Sequence, residues 1–149
     1  MPKRPKYEKK MFESTGSSND VSANIYYSMM TSLAYQELTP KQRDLYTHCK
    51  LQYYRISAKQ RPEAEDQTQF YFNKYLWHGT YKLYNKGNEK SFYKDMDALI
   101  DRGFIRCVSS GKISRTKSVY QFSHKWQDYG TDRFHILPNE RTMSRKGRT

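Results

Sequence analysis

The sequence predicts a mainly helical α+β domain that ends in a β-hairpin, and three observations lead there. Apolar residues recur at helical spacing in three separate segments. Two short runs of β-forming residues flank a stretch containing Gly111, Lys112 and Arg115. Aromatic residues make up 15% of the chain, including 14 Tyr, and supply the large buried areas that a 36% hydrophobic content would otherwise lack. At 149 residues there is room for one domain with a core, expected over 21–137 between flexible basic tails at 1–20 and 138–149.

The first helix is predicted over Ile25–Leu38, where Ile25, Met29, Leu33 and Tyr26, Met30, Ala34 fall at successive helical turns. Thr39 then precedes Pro40, with Gln42 three residues on. This is a capping-box pattern with proline at the first helical position, where a missing N–H costs least. The helix that starts there would bury Leu45, Cys49, Tyr53 and Ile56 and keep Lys41, Arg43, Lys50 and Arg55 in solvent. Residues 57–69 are polar, contain Pro62 and carry Glu63, Glu65 and Asp66, which predicts a loop whose acidity would repel a phosphate backbone.

Phe70–Phe72 read as a short strand, and Asn73 as the cap of a short helix through Lys74 to about His78, stopped by Gly79. The Tyr81, Leu83, Tyr84 segment is ambiguous. After the turn cluster Asn85-Lys86-Gly87-Asn88, Asn88 is placed to cap a helix with Phe92, Met96, Leu99 and Ile100 on one face and Gly103 as its left-handed stop. Phe104–Ser109 and Ser118–Ser123 then form a hairpin with a basic tip, and a segment centred on Trp126 closes the domain.

The formal charge of +12 makes a polyanion the leading partner. Residues 1–13 and 134–149 each carry a net +3, so half of that charge lies outside the expected core. No run approaches the roughly 18 apolar residues of a membrane span, and no apolar signal segment follows the basic N-terminus, so no membrane association and a cytoplasmic location are expected. Cys49 and Cys107 lie far apart in apolar stretches and suit two buried thiols better than a disulfide or metal framework.

The major groove of B-DNA admits one helix, which needs one face anchored in a core and the other polar. The segment SFYKDMDALIDRGFI meets that requirement, with Asn88, Glu89, Lys90, Ser91, Tyr93, Lys94 and Asp97 on or near the far side. Asp95, Asp97 and Asp101 would oppose close approach to phosphates. The Tyr-rich composition reads first as an aromatic core and second as a base-stacking surface.

On the stretches LTPKQRDLY, SFYKDMDALIDRGFIRCV and KSVYQFSHKW, residues 23–129 resemble the winged helix-turn-helix domains of replication-initiator and helix-turn-helix proteins of bacterial plasmids, conjugative elements and phages. The resemblance lies in residue class rather than in fixed residues. It implies that Glu89–Arg102 is the recognition helix and that Ile105–Val108 and Ser118–Phe122 are the wing strands. It also implies that Lys112, Arg115 and Lys117, with Ser110 beside them, are wing residues at the DNA backbone; a basic hairpin tip can equally serve solubility. Lys3, Arg4, Arg145 and Lys146 would add tail contacts.

The four histidines are not paired at i, i+3 or i, i+4, and no phosphate loop, nucleophile elbow or catalytic carboxylate pair is present. A tyrosine nickase would need a histidine pair or an Arg/His cluster at the phosphate, and the sequence offers neither. The expectation is a non-enzymatic, cofactor-free and metal-free protein that binds specific double-stranded DNA sequences, as a dimer on repeated sites, in replication, conjugative transfer or transcription regulation. A protein-interaction adaptor of a replication or transfer complex and an RNA- or ribosome-associated protein are the alternatives.

Overall fold

A computed structural model describes residues 10–17, 20–55, 68–109, 118–137 and 140. Its elements are α1 (Tyr27–Met30), α2 (Leu33–Gln36), α3 (Pro40–Arg55), β1 (Gln69–Tyr71), a wide π-type turn (Tyr75–Thr80), α4 (Glu89–Asp101), β2 (Ile105–Ser109) and β3 (Val119–Phe122). Short 3-10 turns at Met11–Glu13 and Lys125–Asp128 complete the set. The architecture is α+β and mainly α, as expected.

The single helix expected over Ile25–Leu38 is instead two four-residue helices broken at Thr31 and Ser32. Hydroxyls cause the break, because they offer the backbone partners that compete with a continuous helix. Thr31 Oγ1 donates to the Tyr27 carbonyl at 2.9 Å, and Ser32 Oγ accepts from the Tyr35 N–H at 3.3 Å as the N-cap of α2. The buried set is therefore Met29, Ala34, Tyr35 and Leu38, while Tyr26, Met30 and Leu33 are exposed.

α3 begins where the capping box placed it. The Gln42 N–H donates to Thr39 Oγ1 at 3.2 Å and the Thr39 N–H to Gln42 Oε1 at 3.0 Å, satisfying two of the helix's orphan donors. Leu45 and Cys49 are buried and Tyr53 is half-buried, while Ile56 and the acidic loop lie outside the described residues.

β3 is the central strand of a three-stranded antiparallel sheet of order β1-β3-β2. Phe70 stands opposite Tyr120, and Ile105 and Cys107 stand opposite Phe122 and Tyr120. α3 and α4 pack against each other and against this sheet, so the core lies where their apolar faces meet. The predicted hairpin is present. Cys49 and Cys107 are both free thiols buried in the core. No helix among the described residues is long and apolar enough to cross a membrane.

Asn73 does cap the following turn, its Oδ1 accepting from the Leu76 N–H at 3.3 Å. Gly79 does not stop that turn, which runs on to Thr80 with the Tyr81 N–H reaching back to the Leu76 carbonyl at 2.9 Å. The wider coil frees the Trp77 carbonyl to accept from Leu83 at 2.8 Å and Tyr84 at 3.3 Å, which folds the ambiguous 81–84 segment back onto the turn. Glu140, in the stretch expected as a tail, is buried and ion-paired with Lys125 at 3.0 Å.

α4 ends as its sequence dictates. Gly103 takes φ 86°, its N–H donates to the Ile100 carbonyl, and the Phe104 N–H donates to that of Leu99, both at 3.0 Å. These are the two bonds of a Schellman cap. A side chain at Gly103 would place a Cβ 2.5 Å from the Trp126 nitrogen and 2.6 Å from the Lys125 carbonyl carbon. Replacing Gly103→Ala should therefore cost about 2–4 kcal/mol in urea unfolding, from left-handed strain plus overlap with backbone that cannot yield.

Burial pushes the Tyr46, Tyr84 and Tyr120 phenols and the Cys49 thiol well above their ordinary values. Their raised folded values mean that the unfolded chain loses these protons first as pH rises. The contribution of these groups should be level between pH 7 and about 8.5, decline as the thiol of an unfolded chain ionises, and fall steeply above about pH 10. Thermal unfolding measured across pH 7–11 tests this, and a midpoint that did not move would contradict it.

Candidate nucleic-acid interface

The outward side of α4 is set by what its inner side touches. Phe92 stacks on Trp77 at 5.0 Å between ring centroids and on Phe72 at 5.9 Å, so the first full turn of the helix is clamped between the π-type turn and the residue after β1. Phe92, Met96, Leu99 and Ile100 are all buried, as their spacing predicted.

The seven residues expected on the far side of α4 do not stay together. Asn88, Glu89, Lys90 and Lys94 are exposed, Ser91 and Tyr93 are intermediate, and Asp97 is only 1% exposed. Asp97 is thus removed from any groove-facing set. The cause is that α4 packs on α3 and also on β2, which widens its buried arc beyond the four aliphatic and aromatic positions. Asp97 sits close enough to Tyr120 for its charge to help raise that phenol, after burial and the neighbouring Cys107, Tyr93 and Cys49. Burial and then the charge of the Glu89 carboxylate likewise raise the Tyr93 phenol.

Asp95 is also turned to structural use. Its Oδ1 accepts from Gln42 Nε2 at 3.2 Å and its Oδ2 from the Tyr84 hydroxyl at 2.6 Å, tying α4 to the start of α3 and to the 81–84 segment. Burial, followed by this hydrogen bond and charge, pushes the Tyr84 phenol up. Of the three aspartates expected to oppose a polyanion, Asp97 is buried, Asp95 is intermediate in exposure with both oxygens bonded, and Asp101, also intermediate, lies at the far end of the helix. What α4 presents outward is Glu89 together with Lys90 and Lys94, the two lysines one turn apart, with Ser91 donating to Asn88 Oδ1 at 2.9 Å.

The cations of α3 also serve as donors within the fold. Arg43 donates to the Tyr35 and Gln36 carbonyls, both at 3.2 Å, and closes the end of α2. Lys50 donates to the Asn24 carbonyl at 2.7 Å, and burial lowers its pKa. Lys41 donates to the Leu83 carbonyl and lies 4.6 Å from the centre of the Tyr84 ring. Lys41 and Arg55 are exposed as expected and Arg43 and Lys50 are intermediate, so these side chains tie segments together on a face that still meets solvent.

Sequence reasoning missed Lys82, Lys86, Lys41 and Asn85. Lys82, Lys86, Lys90 and Lys94 are all exposed and recur at intervals of four, a signal that was readable in the sequence. Lys82 adopts φ 53°, a left-handed conformation that costs a side-chain-bearing residue on the order of 1 kcal/mol. Lys41 and Asn85 join Asn88, Ser91, Lys94 and Asp95 around one concavity of about 380 Å³. No sequence pattern links residues 41 and 94. Only the packing of α3 on α4 does.

The wing residues Ser110, Lys112, Arg115 and Lys117 lie outside the described residues, as do Lys3, Arg4, Arg145 and Lys146. Among the described residues no group of three or more His, Cys, Asp or Glu could hold a metal ion. Replacing Tyr84→Phe removes one of the two donors that hold Asp95 and should cost about 1–2 kcal/mol in denaturant unfolding. A loss below about 0.3 kcal/mol would show that the tie contributes little.

Comparisons with protein-family models, with curated proteins and with solved structures find no match to this chain.

Proposed function

We propose that this protein is a sequence-specific double-stranded DNA-binding protein of the winged helix type, with α4 lying in the major groove and the β2–β3 hairpin against the flanking backbone. The order α3, β1, π-type turn, α4, β2, β3, with β1 paired on the far side of β3, supports the winged helix reading. One observation carries the DNA reading. Along α4 the exposed charges are Glu89, Lys90 and Lys94, while Asp97 is buried and both Asp95 oxygens are bonded within the protein, so the exposed charge carries an excess of one cation, which suits a polyanion. The burial of Asp97 and the internal bonds of Asp95 favour this reading over a protein-binding adaptor surface. A role in replication, transfer or transcription on a mobile element follows from the resemblance of the sequence alone.

Lys90 is exposed in the first turn, where a recognition helix meets base edges, and its ammonium can donate to guanine acceptors. Selection from a randomised duplex library should enrich a defined motif. Affinity for that motif should fall steeply with salt, and Lys90→Ala should relax base preference at one position by about 1–3 kcal/mol. Equal affinity for the selected and for random duplexes at matched salt would defeat the proposal.

A further inference from the structure

The concavity between the start of α3, residues 83–85 and α4 has a one-sided hydrogen-bonding character. The Leu83 carbonyl and the one carboxylate on its wall are in use: the carbonyl takes the Lys41 ammonium, and both Asp95 oxygens are held, by Gln42 and by Tyr84. The donors of the concavity are not. Lys94 and the Asn85 side chain have no protein partner among the described residues, and Lys41 keeps two of its three N–H groups after bonding to Leu83. Ser91 holds Asn88 through Oδ1, which leaves the amide N–H₂ as the group Asn88 can offer.

Two ammonium groups stand on this wall against one carboxylate. Lys41 is moreover fixed in place, bonded to Leu83 and set over the Tyr84 ring, so that it meets an anion already positioned. The volume of about 380 Å³ admits a phosphate group together with part of an attached sugar.

We propose that this concavity is a phosphate-binding site, with Lys41, Asn85, Asn88 and Lys94 as donors, and that a backbone phosphodiester of bound DNA fills it. The source of the phosphate rests on the DNA-binding reading; the chemistry of the site does not. On this assignment Lys94 clamps the backbone and Lys90 alone of the pair reads bases.

The test is titration of the full chain with inorganic phosphate against chloride at constant ionic strength, followed through the backbone amide resonances of Asn85, Asn88, Ser91 and Lys94. Saturable shifts at these four, weakened about tenfold in Lys94→Gln, are expected. Lys94 is exposed and has no protein partner among the described residues, so that variant keeps the fold. Saturating duplex should abolish the phosphate response, and Lys94→Gln should weaken all duplex sequences alike and lower the salt slope by about one. If duplex binds but phosphate gives no saturable shift, or the shift is the same in Lys94→Gln, the site is overturned and the DNA reading stands. If phosphate saturates while duplex fails to bind, or binds without displacing it, a DNA phosphodiester as the occupant is overturned and the site takes a free phosphate ester.

Discussion

The clamp on Phe92 is the contact on which the rest of the molecule turns. Its ring lies nearly parallel to Trp77, at 19°, and to Phe72, at 15°, with Tyr81 stacked beyond Phe72. Burying one such ring stabilises a fold by about 1.5–3 kcal/mol, and here the burial also joins three segments that sequence separates. A second aromatic group, with Phe70 on Phe122 and Phe104 on Trp126, holds the sheet and the closing 3-10 turn. The many aromatic residues therefore serve mainly as structure, although Tyr26, Tyr27, Tyr54 and Tyr75 remain exposed.

With α4 held in this way, charge is sorted by direction. The helix carries four acids and two lysines; Asp95 is bonded to neutral donors and Asp97 is buried, while Glu89, Lys90 and Lys94 are exposed. On α3 the sorting runs the other way, and Lys41, Arg43 and Lys50 serve as donors to backbone carbonyls. A basic residue in this protein is a surface group or a strut according to which carbonyls its stem can reach. Net charge does not distinguish the two.

Local signals were legible in the sequence, and long-range ones were not. The Thr39–Gln42 capping box, the Gly103 cap and the four-residue apolar stripe of α4 all involve residues within a few positions of each other, and all are present as read. The break at Thr31 and Ser32 was missed because apolar spacing outweighed two hydroxyls able to compete for the backbone. Asp97 was misplaced because a helical wheel shows which residues share a face but not how many elements cover it. The concavity could not be foreseen, since it depends on residues more than 40 positions apart in sequence meeting across α3 and α4.

The π-type turn at Tyr75–Thr80 carries one consequence beyond its own geometry. By widening the coil it lets a single carbonyl, that of Trp77, hold the connection leading into α4. The approach to the helix is thereby braced within the chain. On the DNA-binding proposal, an element braced in this way would dock with little ordering entropy to overcome, and its selectivity would reside in the few side chains it projects.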